Sequence, residues 1–169
     1  MASTLYRWFH FVRNFRHFLC LLGIVLSVYA LYVEVKKMQD KSFTAMCDIN
    51  AKMSCSKVFS SKYGTGFGLV EPLFGKDSVF NIPNSIYGIA FYIFVFILGF
   101  FDGKVVAWIS MVSCVLSCVG CVYLAYILYY ILEDFCVVCV STYAVNALLL
   151  ILSIYHLVQL PATGKAHGD

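Results

Sequence analysis

Residues 105–132 read VVAWISMVSCVLSCVGCVYLAYILYYIL, an unbroken stretch with no charged residue. A helix that crosses a bilayer needs about 20 predominantly apolar residues, so this stretch is long enough to cross at a tilt. Only Asp102–Lys104 separates it from a second apolar stretch at 85–101, and only Glu133 and Asp134 from a third at 135–160. A fourth lies upstream at 18–33. Links this short force consecutive helices to be antiparallel neighbours. The chain reads as an all-α integral membrane protein: a four-transmembrane-helix bundle with one large loop, 34–83, between its first two helices. All of 1–169 is assigned to a single membrane domain.

Composition agrees. Of the 169 residues, 62% are hydrophobic and 12% charged, about half the charged fraction of a soluble domain. The mean hydropathy is +0.84. A water-soluble globule of this size would be left with large apolar surface patches. The net charge of +3 and the lack of any basic run exclude nucleic acid as a partner. The first stretch also admits a reading as a signal peptide, since Arg7, Arg13 and Arg16 precede it and Val28-Tyr29-Ala30 resembles a small-residue cleavage site. Apolar residues continuing past Ala30 favour a retained helix. Basic residues leave the orientation open: Arg7, Arg13, Arg16, Lys104 and Lys165 fall on one side, and seven, Lys36 and Lys37 among them, fall in the long loop.

A loop this long carries function or structure of its own. Met46, Ile49 and Met53 follow helical spacing and predict a short amphipathic helix. Farther on, 64–70 (GTGFGLV) and Leu73-Phe74 mix glycine with large apolar groups, as in a segment that dips into the membrane interface and covers the bundle. No Lys-Ser or Lys-Thr follows these glycines, so they are not a phosphate loop.

The eight cysteines fall into two classes. Cys20, Cys114, Cys118 and Cys121 lie inside predicted spans, the last three among small residues that let membrane helices approach closely; packing is their favoured reading. Cys47 and Cys55 lie in the loop, whereas Cys136 and Cys139 open the last span as Cys-Val-Val-Cys. With four spans, the loop and the mouth of the last helix share a membrane face, so all four thiols can meet. Thiols three apart on a helix lie on one face, within reach of a disulfide. Asp134 is a candidate N-cap for that helix. Structural disulfides remain a competing reading; zinc and haem fit less well, since the loop pair lacks short ligand spacing and Val140 stands where haem attachment needs His.

Two pairs on one face also suit a relay, in which one pair meets an external thiol and the other a substrate in the membrane. Cys139 lies about 4.5 Å deeper than Cys136 by helical rise. Tyr143 follows one turn deeper on the same face, either as a hydrogen-bond donor to a substrate oxygen or as an interfacial anchor. Asn84 is a helix cap or a ligand for a carbonyl. Asn146 lies deeper in the last span, where bridging between helices is its favoured role.

Taken in order, Ala45-Met46-Cys47-Asp48, 55–61 (CSKVFSS), Gly66-Phe67-Gly68-Leu69, 84–88 (NSIYG), 123–128 (YLAYIL) and Cys136-Val137-Val138-Cys139 through Tyr143-Ala144 resemble the vitamin K epoxide reductase family, in its animal, single-domain kind without a fused thioredoxin domain. The resemblance runs from about Leu22 to Leu157. It implies a multi-pass enzyme of the endoplasmic reticulum membrane, its active site lumenal, that reduces vitamin K 2,3-epoxide to the quinone and the quinone to the hydroquinone. On this pattern Cys136 and Cys139 are the catalytic pair and Cys139 attacks substrate. Cys47 and Cys55 relay electrons from a lumenal thioredoxin-like reductant, with Cys55 passing them to Cys136. Asn84 and Tyr143 would hydrogen-bond the naphthoquinone oxygens. Phe59, Phe67, Phe91 and Leu124 would line an apolar pocket that also accepts coumarin anticoagulants. The resemblance calls for no flavin, nicotinamide or metal cofactor, because the cysteines carry the electrons.

Two residues depart from the pattern: Tyr63 stands where the family often has Trp, and Thr65 replaces a commonly basic residue. The tail lacks a recognised lumenal retrieval signal, so the location rests on the resemblance. Two other functions use the same features. A quinone-linked oxidase would run electrons the opposite way through the same four cysteines to make disulfides. A non-enzymatic four-helix membrane protein would need no thiol pair at the mouth of a span.

Overall fold

A computed structural model describes residues 2–50, 53–75 and 77–163. Lys52, Lys76 and Lys165, counted among the basic residues above, lie outside them. The described chain is helical, with no strand: α1 (Ala2–Gln39), α2 (Cys55–Phe59), α3 (Val70–Phe74), α4 (Asn84–Leu98), α5 (Lys104–Tyr126) and α6 (Val137–Thr163). A π-helical turn, Ile127–Ile131, extends α5.

Three helical stretches are long and apolar enough to cross a membrane: His10–Gln39, Lys104–Ile131 and Val137–Gln159. The fourth apolar helix, α4, has 15 residues, about 22 Å by helical rise. The outward faces are apolar: Leu116, Val119 and Val122 of α5 are 67%, 63% and 71% exposed. Such a face suits lipid rather than water.

α1 packs on α4 and α6, and α6 on α5. Two glycines allow the α1–α4 approach: a Cβ on Gly88 would come within 2.7 Å of Ser27 Oγ, and one on Gly23 within 2.4 Å of the Tyr92 ring. Leu19, Cys20, Tyr92, Val95, Cys114, Val145 and Leu149 form the main core cluster. Cys20 and Cys114 thus pack as the sequence predicts for a membrane interior, and Cys114 Sγ lies 3.5 Å from Ser153 Oγ.

Residues 45–50 do not form the expected amphipathic helix. Asp48 accounts for the difference. Its carboxylate accepts hydrogen bonds from the backbone N–H groups of Ala45 (2.9 Å) and Ser56 (3.1 Å) and from the Ser54 hydroxyl (3.0 Å). A short acidic side chain that captures nearby backbone donors competes with helix formation. The chain turns back instead, Asn50 pairs with Met53 in an isolated bridge, and Met46 is left 94% exposed.

Candidate active site

The hairpin held by Asp48 brings Cys47 and Cys55 together as a disulfide with Cα atoms 5.9 Å apart. Ser54 caps α2 by accepting from the Lys57 N–H at 3.3 Å, so Cys55 becomes the first residue of a short helix and is fully buried. The Tyr29 hydroxyl donates to Cys47 Sγ at 3.7 Å, tying the hairpin to α1.

Cys136 lies just ahead of α6, also fully buried. Its sulfur accepts the Cys139 N–H at 3.3 Å, and its carbonyl accepts the Val140 N–H at 3.0 Å. Cys136 therefore occupies the N-cap position expected for Asp134. Asp134 is turned away to pair with Lys57 of α2 at 2.8 Å. The Cys139 thiol donates to Cys136 Sγ at 2.7 Å. Cys136 Sγ thus accepts two hydrogen bonds from one residue, from the Cys139 thiol and from the Cys139 N–H.

The two pairs meet. Cys136 Sγ lies 3.4 Å from Cys55 Sγ, so the sulfurs form a continuous series: Cys47, Cys55, Cys136, Cys139. Ala30, Leu128 and Val138 pack around the two inner members. Cys136 and Cys139 are free thiols here while the loop pair is oxidised.

Cys139, unlike Cys136, lines a cavity of about 430 Å³ between α1, α4, α5, α6 and the loop, a size in the range of small-molecule sites, ~300–1,000 Å³. Phe59, Phe67, Asn84, Phe91, Leu124 and Tyr143 all line it as well. These pocket residues, from the loop and three helices, thus share one wall system with Cys139, and Cys121 of α5 lines it as well. The Tyr143 hydroxyl makes no hydrogen bond to another described residue.

Asn84 is engaged differently from a simple cap. As the first residue of α4 it reaches back into the loop, accepting from the Phe67 N–H at 2.8 Å and donating through Nδ2 to the Tyr63 carbonyl at 2.6 Å. Phe67 has φ 57° between two glycines with φ of 52° and 70°. A bulky residue in the left-handed region is strained, and Asn84 is the side chain that holds it there. One Nδ2 hydrogen remains for a ligand.

The vitamin K epoxide reductase family profile matches residues 15–154. The chain belongs to that family. It is 47% identical over 135 residues to vitamin K epoxide reductase complex subunit 1 of Mus musculus, covering 80% of this chain and 84% of the mouse protein. It is 46% identical over 135 residues, with the same coverage, to the protein of that name from Rattus norvegicus.

All four cysteines of the sulfur series and all six pocket residues lie inside the stretch matched to the family. Three further features of this family member escape the sequence reading. Glu34 is buried, lines the cavity and accepts from the Ser85 hydroxyl at 3.5 Å; in sequence it marks only the end of an apolar stretch. Asn146, read as a bridge, does donate to Cys121 Sγ at 3.1 Å, and it also lines the cavity. The Lys57–Asp134 pair joins positions 77 apart in sequence, a separation at which no local pattern operates.

Proposed function

We propose that this protein is a thiol-driven oxidoreductase that reduces vitamin K 2,3-epoxide to the quinone and the quinone to the hydroquinone. The observation that carries the reading is the sulfur series ending at Cys139 in an apolar cavity, in a chain that belongs to the vitamin K epoxide reductase family. Cys139 Sγ bonds to a substrate carbon, breaking an epoxide C–O bond or a quinone π bond, while the Cys136 thiolate, already its hydrogen-bond acceptor, takes the thiol proton and hands it to the substrate oxygen. Cys136 Sγ then attacks Cys139 Sγ, and the electron pair of the broken carbon–sulfur bond stays with the substrate. That proton and one from solvent leave with the epoxide oxygen as water, expelled by the released electron pair, or stay on the quinone oxygens as the two hydroxyls of the hydroquinone.

Resetting runs outward along the same series. Reduced Cys55 attacks Cys136 Sγ and expels Cys139; Cys47 then attacks Cys55 and expels Cys136. A thioredoxin-like dithiol partner reduces the Cys47–Cys55 disulfide again. The Tyr143 hydroxyl and the spare amide hydrogen of Asn84 bind the naphthoquinone oxygens, and Phe59, Phe67, Phe91 and Leu124 hold the ring. A coumarin anticoagulant, with its own planar ring and oxygens, competes for this space. No cofactor enters this cycle beyond the cysteines.

In the same proposal the chain is one membrane domain of four spans in the endoplasmic reticulum membrane, with the loop and the thiols on the lumenal side. α4 reaches a span's length with the apolar turn Gly99–Phe101 that follows it, together with local bilayer thinning. The test is dithiothreitol-driven reduction of vitamin K epoxide in membranes carrying the wild type or Cys139→Ser. Turnover by the wild type and none by the variant is the expected result. No turnover by folded wild type, with disulfides formed in reduced client proteins in the presence of quinone, would replace this reading with the oxidase.

A further inference from the structure

At the end of the bundle remote from the four-sulfur series, Arg16 of α1 is 5% exposed. Its guanidinium makes no hydrogen bond or ion pair to another described residue. None of its nitrogens is among the fully buried polar atoms left without a partner, so the guanidinium keeps some accessible surface. A cation held in low-dielectric surroundings is costly unless an anion meets it. Arg13, three residues earlier on the same helix, adds a second charge, and its guanidinium lies 3.2 Å from His10 Nδ1. His156, near the end of α6 and 9% exposed, lies within electrostatic reach of Arg13, Arg16 and Asp102. Asp102 is the acidic group in reach of Arg16, yet it is exposed and makes no ion pair with it.

The level of this cluster identifies its ligand. Arg16 and Glu34 bracket the uncharged stretch 17–33 of α1, and their separation of 18 residues spans about 27 Å by helical rise. That is close to the ~30 Å hydrocarbon thickness of a bilayer. Arg16 therefore sits where lipid phosphates lie. Basic pockets between helices at that depth suit anionic headgroups.

We propose that Arg16, with Arg13 and His156, forms a binding site for a phosphate-bearing anion, filled by the headgroup of an anionic phospholipid from the leaflet opposite the thiols. This is independent of the redox reaction and of its substrate. The test uses the full chain in nanodiscs of phosphatidylcholine alone and of phosphatidylcholine with phosphatidylglycerol. Native mass spectrometry of the released protein and thermal unfolding are the readouts. The wild type should retain phosphatidylglycerol and unfold at a higher temperature in its presence. Arg16→Gln should lose both effects, while Arg7→Gln, at an exposed position of the same helix, should keep them. Should Arg16→Gln fail to fold, Arg13→Gln serves instead, with retention weakened about fivefold, the equivalent of one charge near the surface. A saturable stabilisation by inorganic phosphate in phosphatidylcholine discs would show that the site also fills from solution; its absence would make the lipid the sole source. Equal retention of phosphatidylglycerol by the wild type, Arg16→Gln and Arg13→Gln would overturn the proposal.

Discussion

Cys55 Sγ lies 3.4 Å from Cys136 Sγ although 81 residues separate them in sequence. Thiol–disulfide exchange requires a sulfur to approach a disulfide in line, through a mixed-disulfide intermediate, and this contact is the one that intermediate would occupy. We expect the double variant Cys47→Ser/Cys139→Ser, which removes the two outer members of the series, to accumulate a Cys55–Cys136 disulfide on mild oxidation. Peptide mapping by mass spectrometry reads it directly. Two free thiols after oxidation would break the series at its centre.

The ion pair between Lys57 and Asp134 lies two residues from each of those sulfurs. Lys57 is 65% exposed but Asp134 only 3%, so Lys57→Met leaves a carboxylate buried without its cation. Losing one partner of a wholly buried pair costs about 3–5 kcal/mol; the exposure of Lys57 reduces this to about 1–2 kcal/mol. We expect a lower unfolding temperature and slower turnover driven by a protein dithiol, with less change in turnover driven by dithiothreitol. Lys57→Arg should restore both. Equal losses with the two reductants would assign the pair to general stability rather than to docking of the hairpin.

How much of this was legible in the sequence depends on distance along the chain. The apolar stretches at 105–132 and 135–160 became helices because length and hydropathy are local properties, and α5 with its π-turn and α6 follow them closely. The Cys-x-x-Cys pair was legible for the same reason. Asp134 was not, since its identity fits an N-cap and only the folded loop supplies the lysine that draws it away. Met46, Ile49 and Met53 carried a helical period, but the donors gathered by Asp48 come from as far as Ser56, beyond what periodicity weighs. Glu34 was invisible as a cavity residue because burial at a helix end is decided by what α4 places beside it.

Asp48 gives the hairpin a dependence on acid. Burial raises its pKa, but the hydrogen bonds from Ser56, Ala45 and Ser54 outweigh that and hold the carboxyl below the usual range. A depressed carboxyl contributes stability that is fully present above its unfolded pKa, near ~4, and is lost as pH falls through the folded value. Hydrogen-exchange protection of the Ala45 and Ser56 amides, corrected for intrinsic rates, should therefore hold from neutrality to about pH 4 and decline below it. Asp48→Asn should show the weakened protection already at neutral pH. A flat profile in the wild type down to pH 2, roughly two units below the ordinary Asp value, would remove Asp48 as the organiser of the hairpin.

Tyr143 and Asn84 face the same cavity but should respond differently to mutation. The Tyr143 hydroxyl has no hydrogen bond to another described residue, so Tyr143→Phe removes a group that the folded protein does not use. We expect an unfolding temperature close to that of the wild type and substrate binding weakened by about 1 kcal/mol, roughly fivefold, the net worth of one hydrogen bond. Asn84 holds Phe67 in its left-handed conformation and bonds the Tyr63 carbonyl. Asn84→Ala leaves a strained backbone with an unpaired N–H, and about 1–3 kcal/mol of stability should go with it. Binding should fall further than in Tyr143→Phe, because Phe67 and Tyr63 belong to the cavity wall. Thermal unfolding with a direct binding measurement on both variants separates the cases. A Tyr143→Phe protein that binds vitamin K quinone as well as the wild type would return Tyr143 to an interfacial anchor and leave Asn84 as the proposed polar contact to the ring.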